Sequence, residues 1–174
     1  MESATMKSVS MEDLINNLML VDTDPHRFLH MANEYVRQHP SDAGGYFTRH
    51  HAWDALGQKD RALQDLDTSL SLEPHWTAHD DRGRILKDLG QYAEAVVAFN
   101  RAEAADPEAW STSFGPARRA ECHARLGNLR GALADARRLR DDHWTPGQLG
   151  LIPGTKSDVI RRIREIARNP RRTG

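Results

Sequence analysis

The sequence has a single cysteine, Cys122, so no disulfide can form within the chain and nothing asks for an oxidising compartment. Aromatic residues are few: four Phe, three Tyr and four Trp in 174 residues. A core of ordinary size must therefore be filled mainly by Ala, Leu and Ile. Long apolar runs are missing as well. The first twenty residues, MESATMKSVSMEDLINNLML, lack a basic start, and Asp13, Asn16 and Asn17 interrupt their apolar positions. No signal peptide and no membrane span are expected, and the cytoplasm is the expected compartment. Net charge is almost absent too, at −1, which excludes a global electrostatic case for nucleic acid. The charge is unevenly spread: residues 1–39 and 40–155 are each net −3, whereas 156–174 are net +5.

What is present is self-similarity. DALGQKDRALQDL from Asp54, KDLGQYAEAVVAF from Lys87 and ARLGNLRGALADA from Ala124 align on Leu-Gly, then four residues, then Ala and an apolar residue. Pro40, Pro74 and Pro107 keep the same beat, 34 and 33 residues apart. Glycine permits the left-handed backbone with which a chain reverses after a helix. A small alanine five residues later lets the second helix pack closely on the first. Proline then stops that helix. From Gly90 to Gly127 the interval stretches to 37 residues, and the extra residues are placed around Trp110–Ser113.

This pattern resembles the tetratricopeptide repeat, a helix–turn–helix of about 34 residues with aromatic, Leu-Gly, Ala, Phe and Pro landmarks. Gly83, Leu86, Gly90, Tyr92, Ala95, Phe99, Ala102 and Pro107 carry the best match. The resemblance implies an all-α fold, a right-handed superhelix of stacked helix–turn–helix pairs with a C-terminal capping helix. Three units are expected at 43–74, 76–107 and 113–146. In the first, His50 and Ser69 stand where small residues are usual; in the third, Ala136 replaces a bulky one. Upstream, 1–10 is expected to be a flexible tail and 11–40 a degenerate helix pair, opened by Ser10 and Asp13 as a capping pattern. Leu14, Ile15, Leu18 and Met19 would line the apolar face of its first helix. Downstream, Val159, Ile160, Ile163 and Ile166 mark an amphipathic capping helix at 157–169.

No catalytic or cofactor pattern survives inspection. GTKS at Gly154–Ser157 misses the phosphate-loop motif, because Thr155 intrudes and Leu149 replaces the earlier glycine; a helix cap is the simpler reading. His75 and His79 lie four apart but lack an obvious third metal ligand, so packing is expected of them. In a helix Glu121, Cys122 and His123 fan out about 100° apart, too far to share a proton. Cys122 then reads as a small buried hydrophobe. Neither an enzyme, a metal nor a cofactor is expected.

The resemblance implies instead a protein- or peptide-binding scaffold or adaptor, whose first helices turn one stripe to a concave groove. Spacing of three to four residues puts Phe47, His51 and Asp54 on that stripe in the first unit. In the second it selects Asp80, Arg84, Lys87 and Asp88, and in the third Phe114, Ala117, Glu121 and Arg125. Co-chaperones of the family grip acidic C-termini through a lysine, asparagine and arginine clamp. This chain has Phe47, His51, Asp81, Phe114 and Arg118 at those positions, so only the arginine fits. A small chaperone for a secreted or assembling partner, similar to type III secretion chaperones, is one alternative. Docking on anionic membrane or nucleic acid through Arg161, Arg164, Arg168 and Arg171-Arg172 is another. The partner is expected to be another protein or peptide, and nucleic acid is not expected to be the principal one.

Overall fold

Gly57, Gly90 and Gly127 have φ of 72°, 76° and 75° in the computed structural model, which describes residues 8–142, 144–145 and 153–168. Each closes the same helix end. The amide after the glycine donates back across the turn, from Gln58, Gln91 and Asn128 to the carbonyls of Trp53, Leu86 and His123, at 2.8, 2.9 and 2.8 Å. The glycine amides donate to Asp54, Lys87 and Ala124. This pair of bonds satisfies carbonyls that a helix end would otherwise leave unpaired, and it requires the left-handed conformation at the glycine. The Leu-Gly pairs in the sequence are thus the hairpins of three helix pairs.

The chain divides into two compact units, 1–74 and 75–174. The first contains α1 (Met11–Asn16), α2 (Leu20–Thr23), α3 (Pro25–Gln38), α4 (Ala43–Ala55) and α5 (Lys59–Leu72). Asp24 caps α3 through the Arg27 amide, with Pro25 at the first helical position. Leu14, Phe28, Ala32, Tyr35 and Ala52 form a buried cluster. The sequence suggested one first helix through Leu14, Ile15, Leu18 and Met19, and the structure corrects this. Ser10 and Asp13 do form a capping box, but α1 ends at Asn16, where Asn17 closes back on Asp13 with its side-chain amide. Asparagine competes with the helix for backbone partners. The apolar period then no longer runs along one face. Leu14 is fully buried while Ile15, Leu18 and Met19 are 57%, 42% and 80% exposed.

The second unit contains α6 (Trp76–Asp88), α7 (Tyr92–Ala105), α8 (Pro107–Thr112), α9 (Gly115–Arg125), α10 (Leu129–Arg138) and α11 (Lys156–Arg168). A two-residue antiparallel pair, β1 (Trp144–Thr145) with β2 (Gly154–Thr155), is the one departure from helix among the described residues. The fold is all-α in every element that builds a core. Between α6 and α7 the backbone approaches closely. A Cβ on Gly83 would lie 2.6 Å from Phe99 Cε1, and Phe99 is fully buried. The extra residues of the third unit form α8. Asp106 caps it through the Ala109 amide, Pro107 opens it, and Trp110 is buried completely. The proline read as a helix stop is therefore also a helix start.

The last helix pair is alanine-rich, with Ala117, Ala120, Ala124, Ala132 and Ala136 in one cluster. Val159, Ile163 and Ile166 of α11 complete that cluster, at about 1.5–3 kcal/mol per buried side chain before allowance for a compact unfolded state. The start of α11 is capped by its own residues: Asp158 accepts from the Thr155 amide and hydroxyl at 3.0 and 2.8 Å. GTKS is thus a helix cap. Residues 1–7, most of the 143–152 connection, Asn169 and Arg171-Arg172 lie outside the described residues.

The two kinds of glycine should separate by mutation. Gly90→Ala meets no atom but must hold φ near 76°, and should cost about 1 kcal/mol. Gly83→Ala must displace the Phe99 ring and should cost about 1–3 kcal/mol. Urea unfolding checks the order, and equal costs would contradict the packing described.

Candidate functional site

The first helix of each pair shows one face to its own second helix and carries polar residues on another. On α4 that polar row is Phe47, His51 and Asp54, all half-buried. The Phe47 and His51 rings meet edge-on at 5.5 Å, and Lys59 Nζ lies 2.9 Å from Asp54 Oδ1. His50, one residue along, is fully buried, and its Nδ1 contacts the Phe47 carbonyl.

In the second unit the rows of α6 and α9 meet. Arg118 Nη1 lies 2.6 Å from Asp80 Oδ2, and Lys87 Nζ lies 3.7 Å from Glu121 Oε2, both pairs crossing between the helices. Along α6, Arg84 bridges Asp81 and Asp88 at 3.3 and 3.9 Å. Along α9, Arg125 lies 3.6 Å from Glu121 and over the Tyr92 ring of α7. Phe114 precedes α9 and packs under the Arg118 guanidinium. The expected residues are thus brought together within this unit, but not as a solvated stripe. Asp80, Lys87 and Glu121 are only 7%, 7% and 9% exposed. Sequence spacing fixes which residues share a helix face, yet says nothing of the neighbouring helix whose charges cover them.

Burial sets the electrostatics. Desolvation pushes the Asp80 carboxyl above its ordinary range despite the opposing pull of Arg118. Trp110 Nε1 also donates to Asp80, at 3.3 Å. Among the buried atoms of the row, Arg118 Nε and Glu121 Oε2 have no hydrogen-bond partner among the described residues. Arg118, the one residue matching a carboxylate clamp, is already held by Asp80. Burial raises the Cys122 thiol to about 12, which leaves no thiolate nucleophile at neutral pH. His75 accepts the Ala78 amide as the cap of α6, a structural use of that imidazole.

A second set of charges escaped the sequence reading. Arg49 on α4 donates to both oxygens of Asp65 on α5, at 2.8 and 2.7 Å, and to Asn33 on α3 at 3.0 Å. Arg119 on α9 repeats this. It donates to both oxygens of Asp135 on α10, at 2.8 and 2.6 Å, and to Asn100 and Glu103 on α7 at 2.8 and 2.6 Å. The signal was available: in both pairs arginine stands eight residues before the turn glycine and aspartate eight after it.

Comparison with known proteins agrees with this architecture. A family model described as the tetratricopeptide repeat matches residues 77–108. Human tetratricopeptide repeat protein 28 is 32% identical over 95 residues, which is 54% of this chain and 4% of that protein. The chain therefore spans a small fraction of that relative. Crystallised MamA superposes with a TM-score of 0.66 at 15% identity, over 76% of this chain and 77% of its own. Residues 77–108 match a tetratricopeptide repeat, and the chain has the fold of solved tetratricopeptide-repeat proteins. Two other solved tetratricopeptide proteins share the fold. YrrB, described as having an unusual peptide-binding site, gives a TM-score of 0.62 at 17% identity, over 76% of this chain and 68% of its own. A thermophilic tetratricopeptide protein of Thermus thermophilus gives 0.59 at 23% identity, over 72% and 68%.

The second unit should carry a defined acid sensitivity. Burial raises Glu103, but the hydrogen bonds from Arg119 and Arg138 outweigh it and hold its carboxyl below the ordinary range. A depressed carboxylate contributes stability that is complete above its unfolded value and disappears as pH falls towards the folded one. Unfolding free energy should therefore drop below the usual glutamate range near pH 4.3. In Glu103→Gln that part of the fall should be missing, and an unchanged pH profile would contradict the assignment.

Proposed function

We propose that the chain is a non-catalytic scaffold that holds another protein or peptide against the polar rows of its first helices. The observation that carries this reading is the α6–α9 row. It collects Asp80, Arg84, Lys87, Asp88, Arg118, Glu121 and Arg125 in interlaced pairs, and leaves Arg118 Nε and Glu121 Oε2 without hydrogen bonds among the described residues. A buried polar atom left without a hydrogen bond costs about 1–3 kcal/mol, so its retention in the row calls for an explanation, and a partner's polar group would supply one. With Asp81, which Arg84 also pairs, the row sets four carboxylates against four cations, so recognition through it depends on where a partner places its groups more than on the partner's net charge. On α4, Phe47 and His51 add an aromatic contact of the kind that anchors bound side chains.

Docking on anionic membrane through α11 is the weaker reading. Val159, Ile163 and Ile166 are 1%, 0% and 2% exposed, so the apolar face that would enter a lipid interface is already used within the unit. No helix among the described residues is long and apolar enough to cross a membrane.

Affinity capture from the source cells, quantified by mass spectrometry, tests the proposal with two variants, one in each row. Arg84→Glu exchanges partly exposed ion pairs worth about 0–1 kcal/mol, so the fold should hold. Phe47→Ala truncates a half-buried ring. A captured partner should lose about 2 kcal/mol or more of binding in at least one variant, with melting little changed. Retention of every captured protein at wild-type levels in both would overturn the proposal.

A further inference from the structure

Away from these rows, the first unit contains a cleft of about 260 Å³ between α4 and α5, walled by Tyr46, Trp53, Arg49, Arg61, Gln64 and Asp65. Its residues on α4 alternate with Phe47, His51 and Asp54 and so belong to a different face of that helix. We propose that this cleft receives the carboxylate of an acidic side chain on a partner peptide, with Arg61 as the residue that binds it.

Arg61 is the cation in this cleft whose charge the fold leaves uncompensated. Its natural helical partner would be Asp65, four residues on. Both oxygens of Asp65 are taken by Arg49, at 2.8 and 2.7 Å, and the remaining terminal nitrogen of Arg49 donates to Asn33. No carboxylate among the described residues pairs with Arg61. Its guanidinium lies instead over the Trp53 ring, 4.7 Å from the centroid. Stacking on an indole fixes the plane of a guanidinium without neutralising it. The edge donors of a stacked arginine stay in that plane, in the fork geometry that matches the two oxygens of a carboxylate.

Charge and size select the ligand further. Two guanidinium groups face one carboxylate in the cleft, leaving one positive charge. A single carboxylate cancels it, whereas a phosphate of about −1.5 to −2 would leave excess negative charge beside Asp65. The volume is below the roughly 300–1,000 Å³ of small-molecule sites, which suits one side chain better than a cofactor. Gln64, three residues along the same face of α5, offers amide donors at the rim.

The test is a ¹H–¹⁵N titration of the whole chain with N-acetylated, C-amidated tetraglutamate, and in parallel with tetraglutamine and inorganic phosphate. Tetraglutamate should move the Arg61 Nε–H and Trp53 indole resonances and saturate with Kd near about 1 mM. Tetraglutamine should not move them, and phosphate should bind more weakly. Arg61→Gln should weaken tetraglutamate binding at least roughly tenfold, and Arg61→Lys, which keeps charge but loses the fork, should fall between. Arg164→Gln on α11 should change nothing, which separates the cleft from general attraction to exposed arginines. The proposal is overturned if shifts map to α11 instead, if Arg61→Gln binds as wild type does, if phosphate binds more tightly than tetraglutamate, or if no saturation appears by about 10 mM.

Discussion

The Arg119 side chain, 8% exposed, ties its own helix to three others of the second unit. It leaves α9 to fork onto Asp135 of α10, reaches Asn100 and Glu103 on α7, and lies over the Trp110 ring of α8 at 4.5 Å. A buried guanidinium is costly unless its donors are matched, and here the match is nearly complete. The interaction specifies as well as holds. Alanine-lined interfaces such as the α9–α10 pair slide easily because small side chains interlock weakly, whereas a forked ion pair has one register. Arg49 does the same in the first unit, tying α4 to α5 and α3 and lying over Tyr46 at 5.5 Å.

These joints place the polar rows. With α9 locked to α7, α8 and α10, the neighbouring residues Arg118 and Glu121 are carried to Asp80 and Lys87 on α6. Asp80 is drawn into both systems, since it accepts from Trp110 on one oxygen and from Arg118 on the other. Structural and row charges therefore form one connected set, and the site inherits its rigidity from the helix joints. A binding surface preorganised in this way loses less conformational freedom when a partner arrives.

Much of the fold was legible because its determinants are local. Leu-Gly turns, the alanines after them and the apolar stripe of α11 are short-range patterns, and each sits where the spacing placed it. Two things were not legible for physical reasons. Asn17 helps end a helix by bonding a backbone carbonyl with its side chain, a weak effect that the apolar period through Leu14, Ile15, Leu18 and Met19 masked. Trp110 read as part of an insertion because nothing in sequence shows that Asp80, on α6, and Arg119, on the next helix, meet its ring. At the candidate site, Asp80, Lys87 and Glu121 are buried, which helical spacing alone did not indicate. Lys87 and Glu121 are buried by one another's helices, a tertiary fact that helical spacing does not contain.

A double-mutant cycle on Arg119 and Asp135 tests the central joint most directly. Unfolding free energies would be measured for wild type, Arg119→Leu, Asp135→Leu and the double variant. Arg119→Leu leaves Asp135 with only a 3.9 Å contact to Arg138 and should cost about 3–5 kcal/mol, whereas Asp135→Leu leaves Arg119 its Glu103 partner and should cost less. The double variant should lose far less than the sum, with a coupling of about 1–3 kcal/mol. Additivity within about 0.5 kcal/mol would mean that the pair does not act as a joint, and the account of how this unit is held together would fail.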